Sequence, residues 1–454
     1  MVSKLSKSDS FDIDTHKLSA AFKNYDLCTR CGTCIGVCPE NALFTNNNLY
    51  PEMYQHKCVS CGLCSSTCPG ESVSFTDLAL TTFDRTYNFN DFYGLVAETR
   101  VAHSKDKNIR EGGAGGGVVT AILWDLIKSG EVDGCIVTRM NKDRPWIGEP
   151  FLARTYQDLL QSAGSRYVVI PLNSILQTIK SESGKFAIAA LPCHVHGLRK
   201  AFRKTPWLRK KIQIIIGLFC GGALEPQVVI DLLRTKGLAV EDIVDFQFRG
   251  GKWPGKIRAI TKDGEIRNMH HSNYKDGAYN YFIGLYMPVR CQTCIDGSNE
   301  LADLAVSDSW TKNKYGDYAF KNTSRILVRT ENGSNKLKRV EKRGSLKIMD
   351  INEDENYKSQ KLHSKRKGIT APLRVKRLRA KGAAVPQYDK PVPEASWKEI
   401  VMERAVSSLL LVSKKTQTRY YIIKLLTSYY AIPLIKLRLW LKNRKYYKRI
   451  KKTF

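Results

Sequence analysis

Apolar residues follow two periods along the central part of the chain. In EGGAGGGVVTAILWDLIKSGEVDGCIVTRM, Val118, Ile122 and Leu126 recur at spacings of four, which puts them on one face of a helix. The pattern predicts a Gly-rich loop, a helix from Val118 to Lys128, a turn at Ser129 and Gly130, and a strand from Gly134 to Arg139. KFAIAALPCHVHGLRKAF reads as a strand, a turn at Pro192 and a helix, and KIQIIIGLFCGG as a buried strand ending in a Gly-rich turn. Strands alternating with helices predict an α/β (α+β) body with a mixed, partly parallel sheet.

A cysteine-rich unit stands in front of this body. CTRCGTCIGVCP, from Cys28 to Pro39, recurs as CVSCGLCSSTCP, from Cys58 to Pro69, with six of twelve positions identical. Such a short repeat predicts one small pseudo-symmetric, ferredoxin-like domain. The expected organisation is a polar tail at 1–20, the cysteine-rich domain at 21–78 and a linker at 79–100. The α/β domain follows at 101–345, in parts 101–175 and 176–345. GITAPLRVKRLRAKGAAVPQYDKPVPEAS predicts an extended basic linker at 346–396. A basic amphipathic helical tail is expected at 397–454, with helices from Trp397 to Leu411 and from Arg419 to Lys448, broken near Pro433.

Charge adds a feature that the pattern alone does not show. The formal net charge is +30. Lys361 to Lys381 carries nine Lys/Arg and no acid, and Ala405 to Phe454 carries thirteen and no acid. The excess therefore belongs to the C-terminal extension. Its mixture of aromatic, aliphatic and basic residues suits an anionic membrane surface or a docking partner; nucleic acid is the less favoured ligand. No 18-residue apolar run is free of charge and the N-terminus lacks an apolar signal core, so a cytoplasmic protein, peripheral at the inner membrane face, is expected.

Thirteen cysteines in a reducing compartment point to metal rather than disulfides. A 4Fe–4S cube takes three thiolates from a C-x2-C-x2-C loop and a fourth from the other motif. Cluster one would use Cys28, Cys31, Cys34 and Cys68; cluster two would use Cys58, Cys61, Cys64 and Cys38. Zinc needs only four ligands, whereas eight are present in ferredoxin order, as in the bacterial two-cluster ferredoxins that residues 21–78 resemble. Cys135 sits in a strand-like apolar run and reads as a packed thiol. Cys193, Cys220, Cys291 and Cys294 combine one CxxC with two strand-end cysteines. By spacing they fit either a third cluster or buried inert thiols.

GGGVVTAIL, AGSRY, LPCHVHGLRK, GLFCGG, FRGGKWPGK and CQTCIDGSNELADLAVSDSW occur in that order between about Tyr93 and Arg329. With these motifs the chain resembles the beta subunit of coenzyme F420 hydrogenase/dehydrogenase. The resemblance implies a flavin-bearing α/β domain, a third 4Fe–4S cluster on Cys193, Cys220, Cys291 and Cys294, and an organic hydride partner. Gly115 replaces a Ser common in relatives, and His194 a Gln. The family has members with other substrates, so the name does not fix the substrate.

For FAD, Gly115, Gly116 and Gly117 ahead of a helix offer backbone N–H groups to a pyrophosphate, and Thr120 a hydroxyl. Ser165, Arg166 and Tyr167 are further candidate contacts. His194 is the candidate catalytic proton donor, with a helix-start hydrogen bond as the plainer reading of it. Arg249, Lys252 and Lys256 suit an anionic cofactor tail or a solvated turn. Iron–sulfur cubes move single electrons and a hydride carrier takes two, so flavin belongs between them. The expected function is an iron–sulfur flavoprotein oxidoreductase that exchanges electrons with a redox partner protein or a hydride-carrying small molecule, coenzyme F420 or a related one. The alternative is a non-catalytic iron–sulfur relay docking on a partner enzyme.

Overall fold

The computed structural model describes residues 18, 22, 24–87, 89, 93–274, 284–311, 318–349, 364–433, 435–437, 439–441 and 444. Most of the polar segment 1–20, residues 350–363 and the chain beyond 444 lie outside the described residues.

Eight strands build the central sheet: β1 (Glu98–Ser104), β2 (Gly134–Met140), β3 (Gly148–Ala153), β4 (Phe186–Ala190), β5 (Ile212–Leu218), β6 (Leu304–Asp308), β7 (Ser324–Val328) and β8 (Leu346–Met349). Their spatial order is β8-β1-β7-β6-β5-β4-β2-β3. The pairs β2/β4, β4/β5 and β5/β6 are parallel. The β2/β3, β6/β7, β7/β1 and β8/β1 pairs are antiparallel. The mixed sheet expected from the alternating pattern is present. Its antiparallel half is additional, and β1 and β8 lie partly in stretches expected to be linkers.

Two apolar layers cover the sheet. On one face Val118, Ile122 and Leu126 of the helix Val118–Lys128 are buried against Val137, Ile214 and Ile216, the stripe expected from their spacing. On the other face Ile136, Ile188 and Ile215 meet Leu198 of the helix Pro192–Phe202. That second layer also contains Val37, Val73, Phe75 and Leu78. The cysteine-rich domain therefore shares a core with the body.

The contact between them is close. A Cβ on Gly32 would stand 2.6 Å from the Ser174 backbone nitrogen, so a side chain there would push the two apart. The Asn173 amide donates to Thr33 Oγ1 at 2.8 Å and to the His194 carbonyl at 2.9 Å, and its backbone N–H to the Cys31 carbonyl at 2.9 Å.

The basic extension also differs from expectation. The segment expected to be extended contains the helix Ala371–Ala380. There Arg374 and Arg377 pair with the carboxylate of Glu403 at 3.1 and 3.0 Å, so two cations of the expected linker are paired within the chain. Gln387–Tyr388 adds a short parallel strand to Ser72–Val73. The helix Trp397–Val412 matches its expected bounds closely. The next helix, Thr416–Thr427, ends before Pro433. Its Ile423 is fully buried against a three-stranded unit of Ile243–Gly250, Lys256–Thr261 and Ile266–Asn268. Among the described residues, no helix is long and apolar enough to cross a membrane.

Candidate redox centres

Each cysteine motif folds in the same way. Gly32 (φ 79°) and Gly62 (φ 74°) take the left-handed conformation and cap the short helices Thr33–Gly36 and Leu63–Ser66. Glycine adopts that geometry without a Cβ clash. The result wraps each loop around a cavity. One cavity, of about 360 Å³, is lined by Cys28, Cys31, Cys34 and Cys68. The other, of about 430 Å³, is lined by Cys38, Cys58, Cys61 and Cys64. Each holds one of the two ligand sets that spacing predicts, including the exchanged fourth cysteine.

The thiols stand around these spaces and do not converge on a point. Among the described residues, no group of three or more His, Cys, Asp or Glu converges to hold a single metal ion. Backbone N–H groups of Arg30, Ala42 and Gly70 reach Cys28, Cys38 and Cys68 Sγ, each at 3.3 Å. Such bonds stabilise sulfur-borne negative charge. Burial pushes the Cys28 thiol up to about 12, and it pushes Cys34 well up too. These thiols would hold a cluster with iron in place of their protons.

Cys193 opens the helix after β4, and Cys220 follows β5. Ligands of open α/β sheets gather at such carboxyl ends of strands. The Cys220 N–H donates to the Gly297 carbonyl at 3.0 Å, which brings the CQTC loop to this edge. Burial raises Cys193 most, and the neighbouring Cys31, Cys220, Cys291 and Cys294 raise it further. The four candidate thiols thus influence one another electrostatically, and Cys31 of the first cavity influences Cys193 as well. Cys64 of the second cavity similarly influences Cys34 of the first. Cys135, by contrast, is buried with its Sγ 3.7 Å from the Leu123 carbonyl, the packed role expected of it.

The Gly-rich loop is close-packed. The Gly116 N–H donates to Asn322 Oδ1 at 2.8 Å, and Gly115 faces Asp308. Helix Val118–Lys128 starts at Gly117 without a side-chain cap, and Thr120 is buried in its first turn. Arg166 donates to the carbonyls of Gln161 and Ser162 at 2.6 and 2.7 Å, so its guanidinium is engaged by its own loop. Tyr167, which Ser165 hydrogen-bonds, stacks on Tyr274 at 5.4 Å. Arg249 is buried, paired with Asp308 at 2.8 Å and stacked on Tyr274 and Trp310. That makes it a structural pair and not a solvated turn. Trp310 stacks on Trp253. Among the described residues, Trp253 Nε1, Ser309 Oγ and Thr311 Oγ1 are buried there without a partner. Aromatic faces beside orphaned polar atoms fit a planar group with polar edges, such as a flavin ring.

His194 takes the plainer of its two expected roles, a hydrogen bond at the helix start. Its Nδ1 accepts the Leu191 N–H at 3.2 Å and its Nε2 donates to the Ile170 carbonyl at 3.0 Å. Burial lowers its pKa to about 4. With both nitrogens spent, the ring fastens the start of its helix and has no nitrogen left to move a substrate proton.

Four residues near the thiols escaped sequence reasoning. Arg30 binds Glu225 through both carboxylate oxygens, at 2.6 and 2.8 Å. Buried Arg290 donates to the Pro69 and Gly70 carbonyls at 3.0 and 3.2 Å, and its Nη1 has no partner among the described residues. Lys367 is buried with Nζ 3.5 Å from the Cys291 carbonyl. Arg30 and Arg290 lie inside or beside cysteine motifs, a signal that was available. Glu225 and Lys367 carried none.

Residues 183–354 match the family model for the C-terminal part of the coenzyme F420 hydrogenase/dehydrogenase beta subunit, and residues 99–177 match its N-terminal counterpart. Residues 20–69 match a 4Fe–4S dicluster domain. The chain is 27% identical over 341 residues to the F subunit of the F(420)H(2) dehydrogenase of Methanosarcina mazei, covering 72% of this chain and 85% of that protein. It is 24% identical over 340 residues to the coenzyme F420-dependent sulfite reductase of Methanocaldococcus jannaschii, covering 72% of this chain and 48% of that larger protein. A chain in the F420-reducing [NiFe] hydrogenase complex of Methanosarcina barkeri has a similar fold, with a TM-score of 0.52 at 20% identity, covering 66% of this chain and 98% of that one. Eight thiols in ferredoxin order around two cavities, joined to this mixed α/β body, make the chain an iron–sulfur electron-transfer protein that belongs to the family of coenzyme F420 hydrogenase/dehydrogenase beta subunits.

Proposed function

We propose that this protein is an iron–sulfur flavoprotein oxidoreductase that passes electrons between 4Fe–4S clusters and an organic hydride carrier through FAD, with coenzyme F420 or a related compound as the carrier. The sequence of neighbouring thiol sets carries the reading. Cys64 acts electrostatically on Cys34, and Cys31 on Cys193, which supports a run of second, first and third sets in that order. The F420-dependent relatives support the choice of carrier. The clusters would supply single-electron transfer and the flavin its exchange for hydride chemistry.

The chain's own residues supply the setting. The Cys193, Cys220, Cys291 and Cys294 thiols would hold a third cluster. Lys367 and Arg290, buried beside them, have no carboxylate partner among the described residues. Buried charge of that kind is costly without an anion, and a thiolate-bound cluster is one. The helix start at Gly117, which no side chain caps, would face the FAD pyrophosphate with Thr120 in its first turn, while Gly115 and Gly116, whose N–H is held by Asn322, would shape the loop beside it. Ser165, Arg166 and Tyr167 would shape its wall, and Trp253 and Trp310 would face its ring.

A redox partner protein fits the relatives' membership of enzymes built from several subunits. The tail favours an anionic membrane surface as a second contact. Trp397, Met402, Leu411, Tyr429, Tyr430 and Trp440 are exposed in a segment with no acid after Ala405. Each engaged cation would contribute about 1 kcal/mol. Co-sedimentation with anionic liposomes tests this, and equal binding by a 405–454 deletion would refute it.

Anaerobic purification with extraction of the bound cofactor tests the main reading. One FAD per chain, and bleaching of coenzyme F420 by the chemically reduced protein, are expected. Iron without flavin would leave only a relay.

A further inference from the structure

The C-terminal extension after residue 363 lies beyond both matched body segments, yet it packs on the loop that carries Cys291 and Cys294. Arg374 donates to the Gln292 carbonyl at 3.0 Å, and the Tyr388 hydroxyl to the Thr293 carbonyl at 3.2 Å. These bonds hold the two inner carbonyls of the CQTC turn. Lys367 then places its ammonium 3.5 Å from the Cys291 carbonyl. Its relative exposure is 2%, and among the described residues it has no ion pair.

We propose that Lys367 is a positioning residue for electron flow: its buried charge makes the redox group on Cys193, Cys220, Cys291 and Cys294 easier to reduce, so that the extension tunes the potential of that group. The inference rests on the third-cluster reading above. Reduction adds one electron to an already anionic cluster, taken from the adjoining ferredoxin cluster, which is oxidised by one. A fixed cation nearby favours the more negative, reduced state, and low local dielectric strengthens the effect. Arg290, next to Cys291 in the chain, adds a second buried guanidinium, but it also fastens the Pro69–Gly70 turn. Lys367 is therefore the cleaner probe.

The test compares full-length wild type, Lys367→Gln and Lys367→Arg, prepared anaerobically, by iron content and by EPR-monitored redox titration. With three clusters intact, about twelve irons per chain are expected. Lys367→Gln should shift one midpoint potential downward and leave the other two in place, and Lys367→Arg should restore it. Twelve irons with all three potentials unchanged in Lys367→Gln would overturn the proposal while leaving the third cluster standing. About eight irons in the wild type would instead overturn the third-cluster reading and the proposal with it. If Lys367→Gln assembles poorly, Lys367→Arg decides: wild-type iron and potential support the charge role, and iron loss there too overturns it.

Discussion

Arg30 grips Glu225 with two hydrogen bonds, at 2.6 and 2.8 Å, across the boundary between the cysteine-rich domain and the body. The arginine lies between the first two ligands of one cavity, and its guanidinium also covers Tyr50. Its side chain is 2% exposed and that of Glu225 30%. Removing one partner of a buried pair is costly, and the partial exposure of Glu225 discounts the cost to about 1–3 kcal/mol. Arg30→Ala should therefore lose its visible iron–sulfur absorbance faster than wild type on warming, and Glu225→Gln should reproduce most of the change. Wild-type decay in both would show that the pair does not hold the domains together.

Asp389 reaches across more than three hundred residues of sequence to cap a helix. It accepts the Phe75 and Thr76 N–H groups at 2.8 and 2.9 Å and the Ser74 hydroxyl at 2.8 Å. These are the groups that a helix start leaves unsatisfied. Asp389→Ala should cost about 1 kcal/mol and raise amide exchange within Phe75–Phe83 selectively. Exchange that is unchanged there, or raised equally in Val118–Lys128, would contradict the cap.

Glu131 gives a pH signature. Burial alone would raise its pKa, but hydrogen bonds from Arg339, Lys336 and Arg343 outweigh it and hold the carboxyl down to about 2, from 4.5. A depressed carboxylate stabilises the fold above its unfolded pKa, and that contribution is lost as pH falls through the folded value. Wild type should unfold at a higher temperature than Glu131→Gln at pH 6, and the gap should begin to close below about pH 4.5. A gap that stays constant as the pH falls through that range would rule out the network.

Cys193→Ser separates the thiol sets. It should lower iron by about four per chain and keep the EPR signals of the ferredoxin pair. Full iron retention would assign Cys193 to packing.

The parts of the molecule legible from sequence are those encoded locally. The two cavities follow from cysteine spacings within forty-one residues, Cys28 to Cys68. The helix Val118–Lys128 follows from a stripe at spacings of four. What stayed hidden depends on distant partners. β1 pairs with β7 and β8, both more than two hundred residues later, and no local pattern names such a neighbour. The run around Lys367, Arg374 and Arg377 reads as an extended basic linker because its charge is visible and Glu403 is far along the chain. His194 read as a candidate acid because sequence shows a titratable ring but not the carbonyl of Ile170 that occupies it.

Iron and acid-labile sulfide, counted per chain in anaerobically isolated protein alongside its EPR spectrum after reduction, bear most directly on the claim that these thiols gather inorganic cubes into a one-electron conduit. About twelve of each, with interacting reduced-cluster signals, is the predicted result. Zinc in place of iron, with no sulfide and no visible absorbance, would contradict it.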